Sequence, residues 1–306
     1  MMNSKQRKKK KEKSEVLFVI SGLIIPILTF VIFYVIPNFS AFFMGFMDRN
    51  GSFSLENFRR VFETFAKPDG DLTIALKNTL LTFLIIVASF PFKVLVSYFI
   101  YKKVPFSGFY RIVFFLPTII FSVAINLVFN QLIGTNGFIA QTIGEMAGLD
   151  YAPELLADSR YANWVILLQM IWLGFPGDLI IWGGTFARIP TDVLESGQID
   201  GVNWWTEFTK IIVPMVWPTV GLQMVLMACG LFSASGNVFL LTKGEFGTMT
   251  FTAWMYLQMY NHSGPTYTSN VFNYLSAVGL LITVVAIALS IGIRKFADKR
   301  FEEVEF

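Results

Sequence analysis

The sequence predicts an all-α integral membrane protein with six transmembrane helices, and three observations carry that expectation. Hydrophobic residues fill 54% of the 306 positions and charged residues only 15%, too few to cover a soluble domain of this length. Thirty-three Phe and seven Trp add to the excess, which a lipid-facing surface explains because apolar side chains there need no polar cover. The apolar residues also gather into six runs near the ~20 residues that a helix needs to cross the hydrocarbon.

In chain order the expected spans are 16–36, closed by Pro37; 75–101, ended by Lys102-Lys103; 112–133, with Pro117 inside; 164–186; 211–232; and 274–293. Residues 1–15 read as a basic cytoplasmic N-terminus and 295–306 as a C-terminal tail. The region 16–294 between them reads as one six-helix domain, with no second soluble domain. Six crossings put both ends on one side. That side holds sixteen Lys and Arg outside the spans and the other side six, which places both termini in the cytoplasm. The basic run at 5–13 abuts the first span, so it reads as a membrane-side anchor and not as a nucleic-acid patch.

Three charges fall inside spans: Lys77 near the start of the second, and Lys93 and Asp178, which are the notable ones. Lys93 lies nine residues before Lys102 and reads as a side chain snorkelling to the inner face. Asp178 faces either a polar cavity or a partner helix. The single Cys229, in an apolar run, excludes a disulfide framework and reads as a small core residue. The single His262, in a loop-like stretch, excludes a His-based metal site. No catalytic constellation is present, so no catalytic residue and no metal ligand is assigned. The chain also lacks a G-x-x-x-x-G-K-[ST] loop, so any ATP would be held elsewhere.

The segment 187–214 stands out on the cytoplasmic side. Asp192 is placed to cap a short helix, with Glu195 three residues on completing a capping box. Gly201 offers a turn, Asn203 a second cap, and Pro214 a bend into the fifth span. Val193, Leu194, Ile199, Trp204, Trp205, Phe208 and Ile211 give this loop more apolar surface than it needs unless it docks on a protein or the membrane.

The order Glu195-Ser196-Gly197, Asp200-Gly201, Phe208, Ile211, Pro214 resembles the EAA loop of bacterial ABC importer permeases. Here Ser196 and Gly197 stand where that family usually has Ala. Phe114-Phe115-Leu116-Pro117, Ile171-Trp172-Leu173-Gly174-Phe175 with Arg188-Ile189-Pro190, and Phe239-Leu240-Leu241-Thr242-Lys243-Gly244 resemble its maltose-type carbohydrate branch. The resemblance implies a type I importer permease in a bacterial cytoplasmic membrane. It implies a heterodimer with a second permease, a pair of ATP-binding subunits carrying ATP–Mg, an extracellular solute-binding protein and a sugar substrate. The loop 187–210 would be the coupling helix, with Glu195, Ser196, Gly197, Asp200, Gly201 and Pro214 transmitting force. Leu173 and Gly174 would line the substrate path. An ion-driven secondary transporter is the alternative, but it would bring internal repeats and several intramembrane charges.

Overall fold

The computed structural model describes residues 19–68, 70–233, 236–261 and 270–300. The basic N-terminal run, His262 and the last six residues lie outside the described residues. Among those described, the regular elements are all helical, and one isolated antiparallel bridge joins Met47 to Phe53. The chain runs through α1 (Val19–Gly45), α2 (Glu56–Phe65), α3 (Asp71–Tyr101), α4 (Ser107–Ile119), α5 (Ser122–Ile133) and α6 (Phe138–Met146). It continues through α7 (Ala162–Phe186), α8 (Thr191–Ile199), α9 (Trp204–Met215), α10 (Trp217–Cys229), α11 (Gly236–Leu241), α12 (Phe251–Asn261) and α13 (Asn270–Arg300).

Among the described residues, five stretches are long and apolar enough to cross a membrane: α1, α3, Ser122–Met146, α7 and Asn270–Lys299. The bent pair α9–α10 makes a sixth. Phe33, Ile119 and Leu168 are 76, 81 and 68% exposed, an arrangement that water would penalise and hydrocarbon does not.

Three expectations about the spans need correction, and each turns on a proline. Pro37 does not close the first span. The chain widens into a π turn over Val31–Val35 and the helix continues to Gly45, because a missing N–H removes one intrahelical bond and a local π turn absorbs it. The third span is not one helix over 112–133. Ile120 is extended, at ψ 135°, and separates α4 from α5 three residues after Pro117. The fifth span begins with a 72° bend between α9 and α10. The second, fourth and sixth spans are close to expectation, with Pro91 inside α3 and Pro176 inside α7.

The chain forms two compact units. In the first, described residues 19–63 pack with 270–281. Gly45 lies so close to α13 that a Cβ there would come 2.7 Å from Leu280 Cδ1. Asn273 Nδ2 donates to the carbonyls of Met47 and Asp48, and the Arg60 guanidinium sits over the Tyr274 ring.

The second unit comprises, among the described residues, 64–261 and 282–300, and α3 against α7 is its most extensive helix pairing. Val94 and Tyr98 of α3, Trp182 and Phe186 of α7, Leu194 of α8, Phe208 and Ile212 of α9 and Val220 of α10 form one buried cluster. The segment before α12 is clamped on α3. Asn78 Nδ2 donates to the carbonyls of Gly247 and Met249, and Thr79 Oγ1 accepts from the Phe251 N–H at 2.8 Å.

Candidate functional site: a coupling segment and a cleft at a broken helix

Pro190, with φ −57° and ψ 131°, sets an extended entry into α8. Asp192 is therefore not the cap: α8 begins one residue earlier, at Thr191, and no side chain caps it. The expected capping box with Glu195 does not form. Asp192 sits in the first helical turn, where its charge still complements the positive end of the helix dipole. Two other parts of the local reading, at Gly201 and Asn203, hold. Gly201 adopts φ +72°, a conformation that a β-branched side chain resists, and Asn203 Oδ1 accepts the Thr206 N–H at 2.8 Å to start α9.

This short helix has a buried and an open side. Leu194 and Gly197 face inward, and a Cβ on Gly197 would lie 3.1 Å from Ile211 Cδ1. A small residue at 197 thus lets α8 rest directly on α9. Glu195, Ser196, Asp200 and Gly201 are exposed. Beside them Ile199, Trp204 and Trp205 are 85, 52 and 54% exposed. The apolar surplus read from the sequence is therefore divided: one part fills the core and the other is left uncovered.

Residues Glu207–Ile212 of α9 are wound as a π-helix. Pro214 is half-buried in the last turn of α9 and is not the bend itself. The axis turns at Val216, and Pro218 accounts for it. Pro218 supplies no N–H to the Pro214 carbonyl, and its ring presses on that carbonyl.

Ion pairs flank this arrangement at two depths. Lys102 Nζ, just beyond α3, lies 2.5 Å from Glu207 Oε1, and the Glu207 side chain is almost fully buried. Deeper in, Lys93 Nζ lies 2.8 Å from Asp178 Oδ2, joining α3 to α7. Lys93 is 7% exposed, so it does not snorkel. A carboxylate within reach neutralises it in place, which a long stem running to the interface would otherwise have to avoid.

Leu173 lines a cavity of about 550 Å³ with Pro117, Thr118, Ile119, Ile120, Phe121, Ser122 and Ile125, at the break between α4 and α5. Gly174 is not on its wall. A Cβ at 174 would come 3.1 Å from Lys93 Nζ, so the glycine leaves room for the ammonium. One turn before Leu173, buried Gln169 donates to Asn126 Oδ1 at 3.1 Å. The structure thus gathers Glu195, Ser196, Gly197, Asp200 and Gly201 in one segment, with Pro214 further along α9, and keeps Leu173 and Gly174 apart from them. Sequence reasoning missed the Gln169–Asn126 and Lys102–Glu207 contacts. It had both members of the Lys93–Asp178 pair in hand, and two opposite charges inside spans were the signal that joins them. Cys229 is exposed and 3.4 Å from Ser290 Oγ, not a core residue.

No family model matches the chain. A permease for uptake of osmoprotective compounds, GgtC of Synechocystis sp., is 27% identical over 282 residues, covering 89% of this chain and 96% of the relative. The multiple-sugar-binding transport permease MsmF of Streptococcus mutans is 23% identical, covering 92% and 94%. The lactose transport permease LacF of Rhizobium radiobacter is 24% identical over 61% of this chain and 62% of the relative. Among solved structures, a bacterial ABC transporter that imports the acidic polysaccharide alginate superposes with a TM-score of 0.79 at 18% identity, over 96% of this chain and 99% of that one. The same fold is seen in that importer bound to a periplasmic protein holding an alginate pentasaccharide. Transport permeases align with the chain over nearly its full length and an importer subunit shares its fold from end to end, and the chain is accordingly a permease subunit of an ABC transporter.

Proposed function

We propose that this permease carries a sugar or oligosaccharide inward, and that residues 187–210 couple it to separate ATP-binding subunits. The cargo reading draws on permeases named for lactose, for multiple sugars and for starch degradation products. It also draws on the cavity at the α4–α5 break. A mostly apolar cleft with a few polar groups suits a sugar. Here Leu173 offers an apolar wall, and Thr118, Ser122 and the interrupted backbone offer polar partners. Gly174, next along α7, adjoins this wall and leaves room for the Lys93 ammonium. The ion-driven alternative loses its support, because the relatives are ABC permeases and the intramembrane charges Lys93 and Asp178 neutralise each other.

One observation carries the coupling reading: α8 and the start of α9 are anchored by Leu194, Gly197 and Phe208 yet leave Ile199, Trp204 and Trp205 uncovered. An exposed apolar patch of this kind marks a docking surface. In the proposed cycle the ATPase pair holds ATP–Mg and closes, and the loops of this chain and a second permease approach each other. The path then opens outward to a loaded solute-binding protein. Glu195, Ser196, Gly197, Asp200, Gly201 and Pro214 transmit force and do no chemistry. Both termini lie in the cytoplasm of a bacterial plasma membrane. The test is affinity capture of the ATPase from membranes with a tagged chain carrying Ile199→Glu or Trp204→Glu. Capture is expected to be lost while insertion is kept, and capture at the parental level would sink the docking role.

A further inference from the structure

The bend between α9 and α10 raises a mechanical difficulty. A push received by α8 would reach the fifth span through α9, yet α9 meets α10 at 72°, so a push along α9 is directed well off the α10 axis. The side chains offer a straighter route. Gly197 of α8 abuts Ile211, inside the π-wound stretch Glu207–Ile212. That stretch and the turn before it grip the cytoplasmic end of α3. Lys102 Nζ meets Glu207 Oε1, the Tyr98 and Phe208 rings lie 5.2 Å apart, Phe99 and Trp204 5.3 Å, and the Lys102 ammonium sits 5.9 Å from the Tyr98 ring centre.

From there α3 runs unbroken to Lys93, whose ammonium is paired with Asp178 and set against Gly174, next to Leu173. Glu207 and Lys102 both fall outside the positions that carry the family resemblance.

We propose that the Lys102–Glu207 ion pair is a tie that passes motion of the coupling segment to α3, and through Lys93–Asp178 to the Leu173 wall of the cavity. Both members of the outer pair are positioning residues. Glu207 is the better indicator: its carboxylate is withdrawn from water, so separation of α9 from α3 would strand it without a cation. The two elements therefore move as one body while the pair holds. This inference rests on the coupling reading above.

The test uses the assembled transporter in proteoliposomes, with Cys229→Ala as parent and Leu173→Cys as reporter. A fluorescent maleimide reads the reporter before and after ATP, Mg and vanadate close the ATPase. In the parent, trapping is expected to change the labelling rate by at least about fivefold. Lys102→Met and Glu207→Gln are expected to abolish that change while capturing as much ATPase as the parent, and the exchanged pair Lys102→Glu with Glu207→Lys is expected to restore it. A parental response in both single variants overturns the tie. So does no response in the parent, or loss of ATPase capture in place of loss of response. Failure of the coupling reading shows separately, as an untreated parent that captures no ATPase.

Discussion

A lysine ammonium moved from water into a helix bundle loses several kcal/mol of hydration, which a carboxylate recovers only at short range and in good geometry. Lys93 and Asp178 are within that range at 2.8 Å, and the glycine at 174 leaves the space in which they approach. Lys93→Met alone strands the Asp178 charge and is expected to cost about 3–5 kcal/mol, seen as loss of monodisperse protein in detergent. Lys93→Met with Asp178→Leu removes both charges and should return most of the yield. Equal yields from the single and double variants would contradict the pairing. At Gly201 the issue is backbone, not charge. Gly201→Val forces a branched side chain into φ +72°, at a cost of about 1–3 kcal/mol. Insertion into washed membranes should be unchanged and ATP-driven uptake reduced, and parental uptake would remove this turn from the mechanism.

Between residue and bundle, the elements show what periodicity conveys and what it leaves out. The long runs at 75–101 and 164–186 became α3 and α7 nearly as expected, because burial against each other and against lipid both favour an uninterrupted helix. The cap at Asn203 and the turn at Gly201 were legible because each depends on one residue's own chemistry. The effect of a proline was not, since it depends on whether neighbours can take up the lost hydrogen bond. Pro37 is absorbed by a π turn, Pro117 precedes a complete break, and Pro214 yields the bend to Pro218. Nor does hydropathy reveal α2, α6, α11 and α12, which occupy stretches that read as loops. Pro218→Ala should restore an N–H for the Pro214 carbonyl and straighten α9–α10. Spin labels at Trp205→Cys and Leu226→Cys in a Cys229→Ala background should then move apart by double electron–electron resonance. An unchanged distance would place the cause of the bend elsewhere.

For the molecule as a whole, the distribution of Lys and Arg makes a prediction about sidedness. Single cysteines at Ser52 and Ser159 in the Cys229→Ala background should react with an impermeant maleimide on intact cells, and one at Ser107 only after lysis. The reverse pattern would invert the bundle. The Lys102–Glu207 pair fits this layout, since Lys102 at the end of α3 and Glu207 in α9 meet on the side to which Ser107 is assigned. The interrupted helix at Ile120–Phe121 has one more consequence. The last carbonyls of α4 and the first amides of α5 have no partner within either helix, and hydrocarbon offers them none. Water must therefore reach this depth. Deuterium should enter the amides of 121–124 within seconds in nanodiscs, while those of α3 stay protected for hours: a hydrated island inside the membrane, visible without any substrate at all.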